Sequence, residues 1–200
     1  QISDRTKAKG SIYNSGVHVP MIVSGPNVVS PNRTSSSLIN TLDIFATVLE
    51  MSSFPDWKSS IPSSNMIDSR SFLSELKNNT GNKRSWIFSE QFSNPATAKD
   101  GKTIRNQDYH LIKFDKGTTE FYNQTIDVEE DSNLLIDTST MTNSDWSNYT
   151  LLCDSLVKLT GSGTCLSAPI NFFLSASPDT VFIPASANSD GNVNVSSNTT

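Results

Sequence analysis

The densest chemistry in the chain lies in Lys9-Gly10-Ser11-Ile12-Tyr13-Asn14-Ser15-Gly16-Val17-His18-Val19-Pro20-Met21-Ile22-Val23, a lysine beside a glycine in a polar loop that feeds an apolar run. An ammonium on a flexible stem is a point charge suited to the oxygens of sulfate or phosphate. If the apolar run is a buried strand of an α/β sheet, Lys9 stands at the rim where ligands of such folds bind, outside the strand ends. His18 adds a titratable group to the same segment and is a candidate substrate-binding residue. Its place in a strand-like run favours a structural role. Lys9 likewise reads as one more solvated lysine, and spacing alone does not choose between these readings.

Other chemistries find less support. Cys153 and Cys165 lie twelve positions apart around Gly161-Ser162-Gly163, with no CxxC pair and no His/Cys cluster at metal-ligand spacing. A structural zinc site is therefore not expected. The two cysteines read equally well as a disulfide of an oxidising compartment or as two buried thiols. The acidic run Asp127-Val128-Glu129-Glu130-Asp131 lacks the spacing of a calcium loop and reads as a solvated turn. Six Asn-x-Ser/Thr sites, beginning at Asn32, Asn78, Asn123, Asn148, Asn194 and Asn198, carry little information in so Asn/Ser-rich a chain. The composition suits a secreted or periplasmic protein.

Charge and length bound the rest. The 200 residues carry 15 basic and 20 acidic side chains, a formal net charge of −5, which argues against nucleic acid as a partner. Only 35% of residues are hydrophobic, and no apolar run approaches the ~20 residues of a transmembrane segment. A charged fraction of 18% with clustered apolar residues fits a folded chain rather than a disordered one. Both ends read as cut, so a piece of a longer protein is expected.

The elements that must position Lys9 follow from periodicity. Residues 17–23 form a nearly continuous β-branched run between turn signals, as an internal strand does. After Ser35-Ser36-Ser37, the residues Leu38, Leu42, Phe45 and Leu49 recur at helical spacing, predicting a helix to about Met51 that covers a sheet face. A shorter helix is predicted around 70–77. From about residue 85 the period becomes two, predicting strands at 86–88, 103–105, 109–114 and 118–122, the last pair joined at Asp115-Lys116-Gly117. A last helix is predicted over 146–159, with Leu152, Leu156 and Leu159 inward and Gly161 as its stop. Beyond residue 167 the character shifts, and two short strands around the turn at 188–191 open a β-rich segment.

Four motifs in order make the chain resemble the sulfatase family of the alkaline-phosphatase superfamily. Lys9, Gly10, Tyr13, Gly16, Val17 and Pro20 match the family's Lys-Gly-x-x-Tyr-Glu-Gly-Gly-(Val/Ile)-(Arg)-x-Pro. The segment from Asn40 to Leu49 is similar to its Asp-(Leu/Ile)-x-x-Thr-(Leu/Val)-Leu helix, and Tyr109-His110-Leu111-Ile112 to its Tyr-Lys-Leu-Ile strand. Glu120-Phe121-Tyr122-Asn123, then Asp127, Glu130, Asn133 and Leu134, resembles its Glu-Leu-Tyr-Asp…Asp-Pro-x-Glu-x-x-Asn-Leu segment. The match spans residues 5–157.

The resemblance implies the C-terminal part of an α/β sandwich, with a small antiparallel sheet and a C-terminal helix over residues 1–163. A linker over 164–178 and the truncated start of a BACON/Ig-like β domain over 179–200 complete the expected organisation. It implies a sulfuric ester hydrolase acting on a sulfated small molecule or glycan, with Lys9 contacting the sulfate. Asn14 and Ser15 depart from the family's Glu-Gly, and His18 stands where Arg is common. His110, at the family's strand lysine, reads as a surface or packing residue.

The family's nucleophile is a formylglycine made from (Cys/Ser)-x-(Pro/Ala)-x-Arg, and its cofactor a divalent cation, usually Ca2+. The arginines at 5, 33, 70, 84 and 105 are preceded four positions earlier by Gln1, Val29, Met66, Thr80 and Gly101, so neither nucleophile motif nor metal site is expected in these residues. Ser3-Asp4 resembles a family Asp-(Asn/His) pair only faintly, and Asp4 is not expected to bind metal. The 200 residues alone are expected to be inactive. A phosphodiesterase or phosphonate hydrolase of the same superfamily, or a non-catalytic sulfatase-like scaffold or adhesive protein, are the alternative readings.

Overall fold

The computed structural model describes residues 4–78 and 84–169. The meander expected from the period-two segment is present. Strands β1 (Ile87–Gln91), β2 (Gly101–Arg105), β3 (Tyr109–Phe114) and β4 (Thr119–Asn123) form one antiparallel sheet in the order β1-β2-β3-β4. The register pairs Ile104 with Leu111 and Leu111 with Phe121. Because side chains alternate across a strand, Tyr109 and Leu111 face one side of the sheet while His110 and Ile112 face the other.

The first face packs on helix α4 (Asn143–Thr160). Ile104, Leu111 and Phe121 from the sheet meet Trp146, Tyr149, Leu152 and Leu156 from the helix in one buried cluster. Each such side chain, fully buried, contributes about 1.5–3 kcal/mol of hydrophobic stabilisation. The helix begins three residues before its expected start, because Thr142 and Asp145 form a capping box that satisfies two otherwise unpaired N–H groups. It ends where expected, at Gly161 with φ of 67°, a left-handed conformation glycine adopts without steric cost. Cys153 and Cys165 are disulfide-bonded, and the Leu166 amide donates to the Tyr149 hydroxyl at 3.1 Å.

The second face receives the segment around Lys9. Ile12 is buried against Ile112 and Tyr122, with Tyr13 and Phe114 packed at the margin. Gly101 permits this approach: a Cβ there would stand 2.6 Å from the Lys113 carbonyl oxygen and 3.1 Å from Ile12 Cδ1. The fold is therefore a helix–sheet–loop stack, the α/β arrangement expected with its small antiparallel sheet and C-terminal helix.

Two expectations fail. Residues 18–24 pair with no strand, and Ile22 is 94% exposed. A strand is defined by its neighbours, and among the described residues no sheet edge lies beside this run. The helix expected from Leu38 begins only at Asp43, after Asn40 and Thr41 turn the chain; α2 spans Asp43–Met51, after α1 (Asn14–Val17) in chain order. Its buried side is Asp43, Ala46 and Thr47, while Leu42, Phe45, Val48 and Met51 are exposed. The apolar stripe is real but faces outward. Helix α3 (Leu73–Leu76) is shorter than the expected 70–77. The linker expected over 164–178 is described only to residue 169, and the β-rich segment expected over 179–200 lies outside the described residues.

Asp43 holds this helical region together. Its carboxylate accepts from the Asn40 amide at 2.9 Å, the Arg70 amide at 2.8 Å and Arg84 Nε at 2.9 Å. Burial opposes its ionisation. The Arg84 hydrogen bond, the two amides and the guanidinium charge together outweigh burial and hold the carboxyl below its usual range. Its folded value being depressed, the stability it contributes is complete above the unfolded carboxyl value of about 3.9 and is lost as pH falls through the lower folded one. Asp43→Asn in the full-length protein should therefore flatten the fall of the melting temperature below about pH 4. Parallel acid slopes for the two proteins would contradict this assignment.

Candidate functional site

The segment carrying Lys9 is built from short-range bonds. Asp4 accepts from the Thr6 amide at 2.8 Å and its hydroxyl at 2.7 Å, capping a 3-10 turn over Arg5–Lys7. Asp4 is thus spent on the backbone. Gly10, at φ 82°, reverses the chain after Lys9, and the Ser11 amide closes the turn on the Ala8 carbonyl at 3.1 Å. Gly16 closes the far side: a Cβ there would fall on the Ser11 carbonyl and stand 2.8 Å from that of Ala8. Only glycine allows the loop to return on itself so tightly.

The two lysines of this segment have opposite fates. Lys7 Nζ donates to the Glu130 carbonyl oxygen, lies 3.4 Å from Asp131 Oδ1, and sits over the rings of Tyr13 and Tyr122 at 5.3 and 5.9 Å. Both phenols donate to Glu120 Oε2 at 2.8 Å. Burial first, and that hydrogen bond second, push both phenol pKa values up, so both stay neutral. Lys9, two residues on, is exposed and makes no hydrogen bond or ion pair among the described residues. Its ammonium is available to an anion.

His18 is not on a strand. It follows α1, donating its amide to the Asn14 carbonyl at 2.8 Å, and is exposed. Partial desolvation first, and the nearby Arg105 charge second, lower its pKa from the ordinary histidine value. It is therefore a neutral imidazole at pH 7. No described contact joins it to Lys9.

Of the two readings of His110, surface or packing residue, the structure excludes the surface one. Its side chain is 0% exposed, on the sheet face beneath the loop, with Nε2 on the Thr103 hydroxyl and Nδ1 on Glu130 Oε1. The acidic run is corrected in part as well. Asp127 does build a turn, accepting the amides of Asp131 and Ser132 at 3.0 and 2.9 Å. Glu130, however, is 1% exposed and turned inward at φ 62°. Composition concealed it among three acidic neighbours, whereas its place in the family-like Asp-x-x-Glu spacing is the signal that distinguishes it. Arg105, the other residue missed, donates to Asn14 Oδ1 at 2.6 Å.

A divalent cation does not fit the described residues. No group of three or more His, Cys, Asp or Glu able to hold a metal exists among the described residues, and Asp4, Asp127 and Glu130 are committed to backbone or side-chain donors. The chemistry assigned to these side chains therefore rests on no such cation.

Comparison with known proteins agrees with this architecture. The model of the N-sulphoglucosamine sulphohydrolase C-terminal family matches residues 7–147. A sulfatase of Formosa agariphila is 28% identical over 137 residues, covering 64% of this chain and 24% of that protein. A Bacteroides thetaiotaomicron VPI-5482 protein assigned as a sulfatase superposes with a TM-score of 0.54 at 16% identity, covering 73% of this chain and 32% of its own. A 2-O GAG sulfatase superposes with a TM-score of 0.53, also at 16% identity, over 73% of this chain and 32% of its own. The chain thus spans about a quarter of the curated relative's length. Since the family model covers residues 7–147 of 200, from the lysine loop through the sheet into α4, the chain belongs to the sulfatases, as a member of the N-sulphoglucosamine sulphohydrolase C-terminal family.

Proposed function

We propose that the full-length protein containing this chain is a sulfuric ester hydrolase acting on sulfated glycans, with Lys9 as its sulfate-contacting residue. The observation that carries this reading is the contrast within one loop: Lys7 is engaged by Glu130 and two rings, while Lys9 has no partner among the described residues and stands on a turn braced by Gly10 and Gly16. An ammonium so placed can pair with sulfate oxygens and offset the charge that develops as the ester bond breaks. The glycan class is supported by the 2-O GAG sulfatase among the structural neighbours. His18 is assigned a lesser, substrate-facing role.

The same reading assigns the nucleophile, a formylglycine, and a Ca2+ or similar cation to parts of the full-length protein beyond these residues. The remainder of the α/β sandwich would also cover the exposed apolar side of α2 and residues 19–23. A β-rich, Ig-like module after residue 178 belongs to this reading too. Secretion to an oxidising compartment is supported by the Cys153–Cys165 disulfide. Nucleic acid is not a partner on this reading, given the net charge of −5. Among the described residues no helix is long and apolar enough to cross a membrane.

The test is a substrate panel for the full-length protein: an aryl or sugar sulfate ester, a phosphodiester and a phosphonate monoester. The sulfate ester is expected to be turned over with kcat/KM at least about tenfold above the others, and the 200 residues alone to release no sulfate. Preference for a phosphorus ester would replace this reading with the phosphodiesterase or phosphonate hydrolase. No turnover of any member would favour a non-catalytic scaffold.

A further inference from the structure

Beneath the lysine loop lies a buried polar cluster that the sulfate contact does not use. Glu130 is at its centre. Its Oε1 accepts from Gln124 Nε2 at 2.9 Å and from His110 Nδ1; its Oε2 accepts the Asn14 amide at 2.7 Å. Its main-chain carbonyl takes Lys7 Nζ. Asn14 is held again on its side chain, where Oδ1 accepts from Arg105 Nη1 at 2.6 Å and Nδ2 donates to the Val128 carbonyl at 3.4 Å. His110 is locked in turn, its other nitrogen on Thr103 of the neighbouring strand.

Burying a carboxylate is unfavourable unless its oxygens are fully engaged, and a packed core has no need of one. What this carboxylate touches is informative. One residue engages Lys7, two positions before Lys9, and Asn14, five positions after it. We propose that Glu130, oriented by His110 from the sheet, is a positioning residue that clamps both shoulders of the loop and so fixes where the Lys9 ammonium stands. The clamp is anchored through His110 and Thr103 to the sheet that packs on α4 by its opposite face, so the position of Lys9 is referred to that packed unit. Reaction rates fall steeply when a charged contact shifts by about 1 Å, which gives such a clamp a catalytic consequence. That consequence rests on the reading of Lys9 as the sulfate contact, whereas the clamp itself does not.

A double-mutant cycle in the full-length protein tests it. Glu130→Ala should lower kcat/KM for a sulfate ester by about 30- to 100-fold when Lys9 is present. In a Lys9→Ala background the same change should cost less than about threefold, because a residue acting through Lys9 has nothing left to position. Glu130→Gln keeps the shape and one acceptor and should retain most of the activity. Equal losses in both backgrounds would overturn the proposal.

Amide exchange at Asn14 provides a readout independent of turnover and of whether Glu130→Ala folds. Glu130→Gln replaces a charge-assisted bond by a neutral one, and should speed that exchange by about tenfold. An unchanged rate would overturn the clamp. If the wild-type protein hydrolyses no sulfate ester, the reading of Lys9 fails, and the exchange rate still decides whether Glu130 holds the loop.

Discussion

Lys9→Ala in the full-length protein is expected to lower kcat/KM for a sulfate ester by about 10²- to 10³-fold, the usual loss when one preorganised charge-stabilising donor is removed from an active site. The melting temperature should barely move, because exposed side chains outside special contacts contribute within about 0.5 kcal/mol and Lys9 has no partner among the described residues. The matched control is Lys7→Ala. Lys7 holds the Glu130 carbonyl and stacks on two rings, so its removal should lower the melting temperature as well as loosen the loop that carries Lys9, and the melting temperature tells the two variants apart. Lys9→Arg retains the charge but presents a planar fork in place of a point charge, and should recover part of the lost rate. A Lys9→Ala enzyme within threefold of wild type would remove the chemical basis of the assignment.

Phe121→Ala is expected to destabilise the sheet–helix unit by about 3–5 kcal/mol, the usual cost of emptying a buried aromatic site. Phe121 is 0% exposed. It stacks on Tyr109 at 5.3 Å between centroids and meets Tyr149 of α4 edge-on at 5.4 Å. Its loss would unpack the helix from the sheet and leave the Tyr109 ring without its neighbour. Equilibrium denaturation followed by near-ultraviolet circular dichroism reads this, since Tyr109, Phe121, Trp146 and Tyr149 meet at that junction. A loss below about 1 kcal/mol would mean that the core relaxes around the gap, contrary to its packing.

What could be read from the residues alone divides along a physical line. The meander was legible because period two, a turn at Asp115-Lys116-Gly117 and sequential pairing are all local signals. Helix α4 was legible for the same reason, although the Thr142–Asp145 box that starts it was overlooked. Residues 17–23 and the stripe of α2 were misread because apolar periodicity states that a face is to be buried and says nothing of what buries it. Among the described residues Ile22 is left 94% and Val48 52% exposed. The site was half legible. Lys9 was found through its motif, with Gly10 and Gly16 beside it. Glu130, His110 and Arg105 were not, since their roles arise from contacts between segments far apart in sequence, such as Asn14 with Glu130. A charged residue that folds inward cannot be told by its type from one that faces water.

The neighbour-to-neighbour order of the four strands bears on how the molecule is made. Residues 92–100, 106–108 and 115–118 are all that separates each strand from its partner, so closing every ladder costs little chain entropy. A nascent polypeptide leaving the ribosome can zip this ribbon together hairpin by hairpin. The lysine-bearing loop, synthesised some eighty residues earlier, must wait for that platform before it has anywhere to dock. Docking of the loop that carries Lys9 thus follows completion of the sheet, and nascent chains stalled before β4 would carry that loop on an unanchored tether.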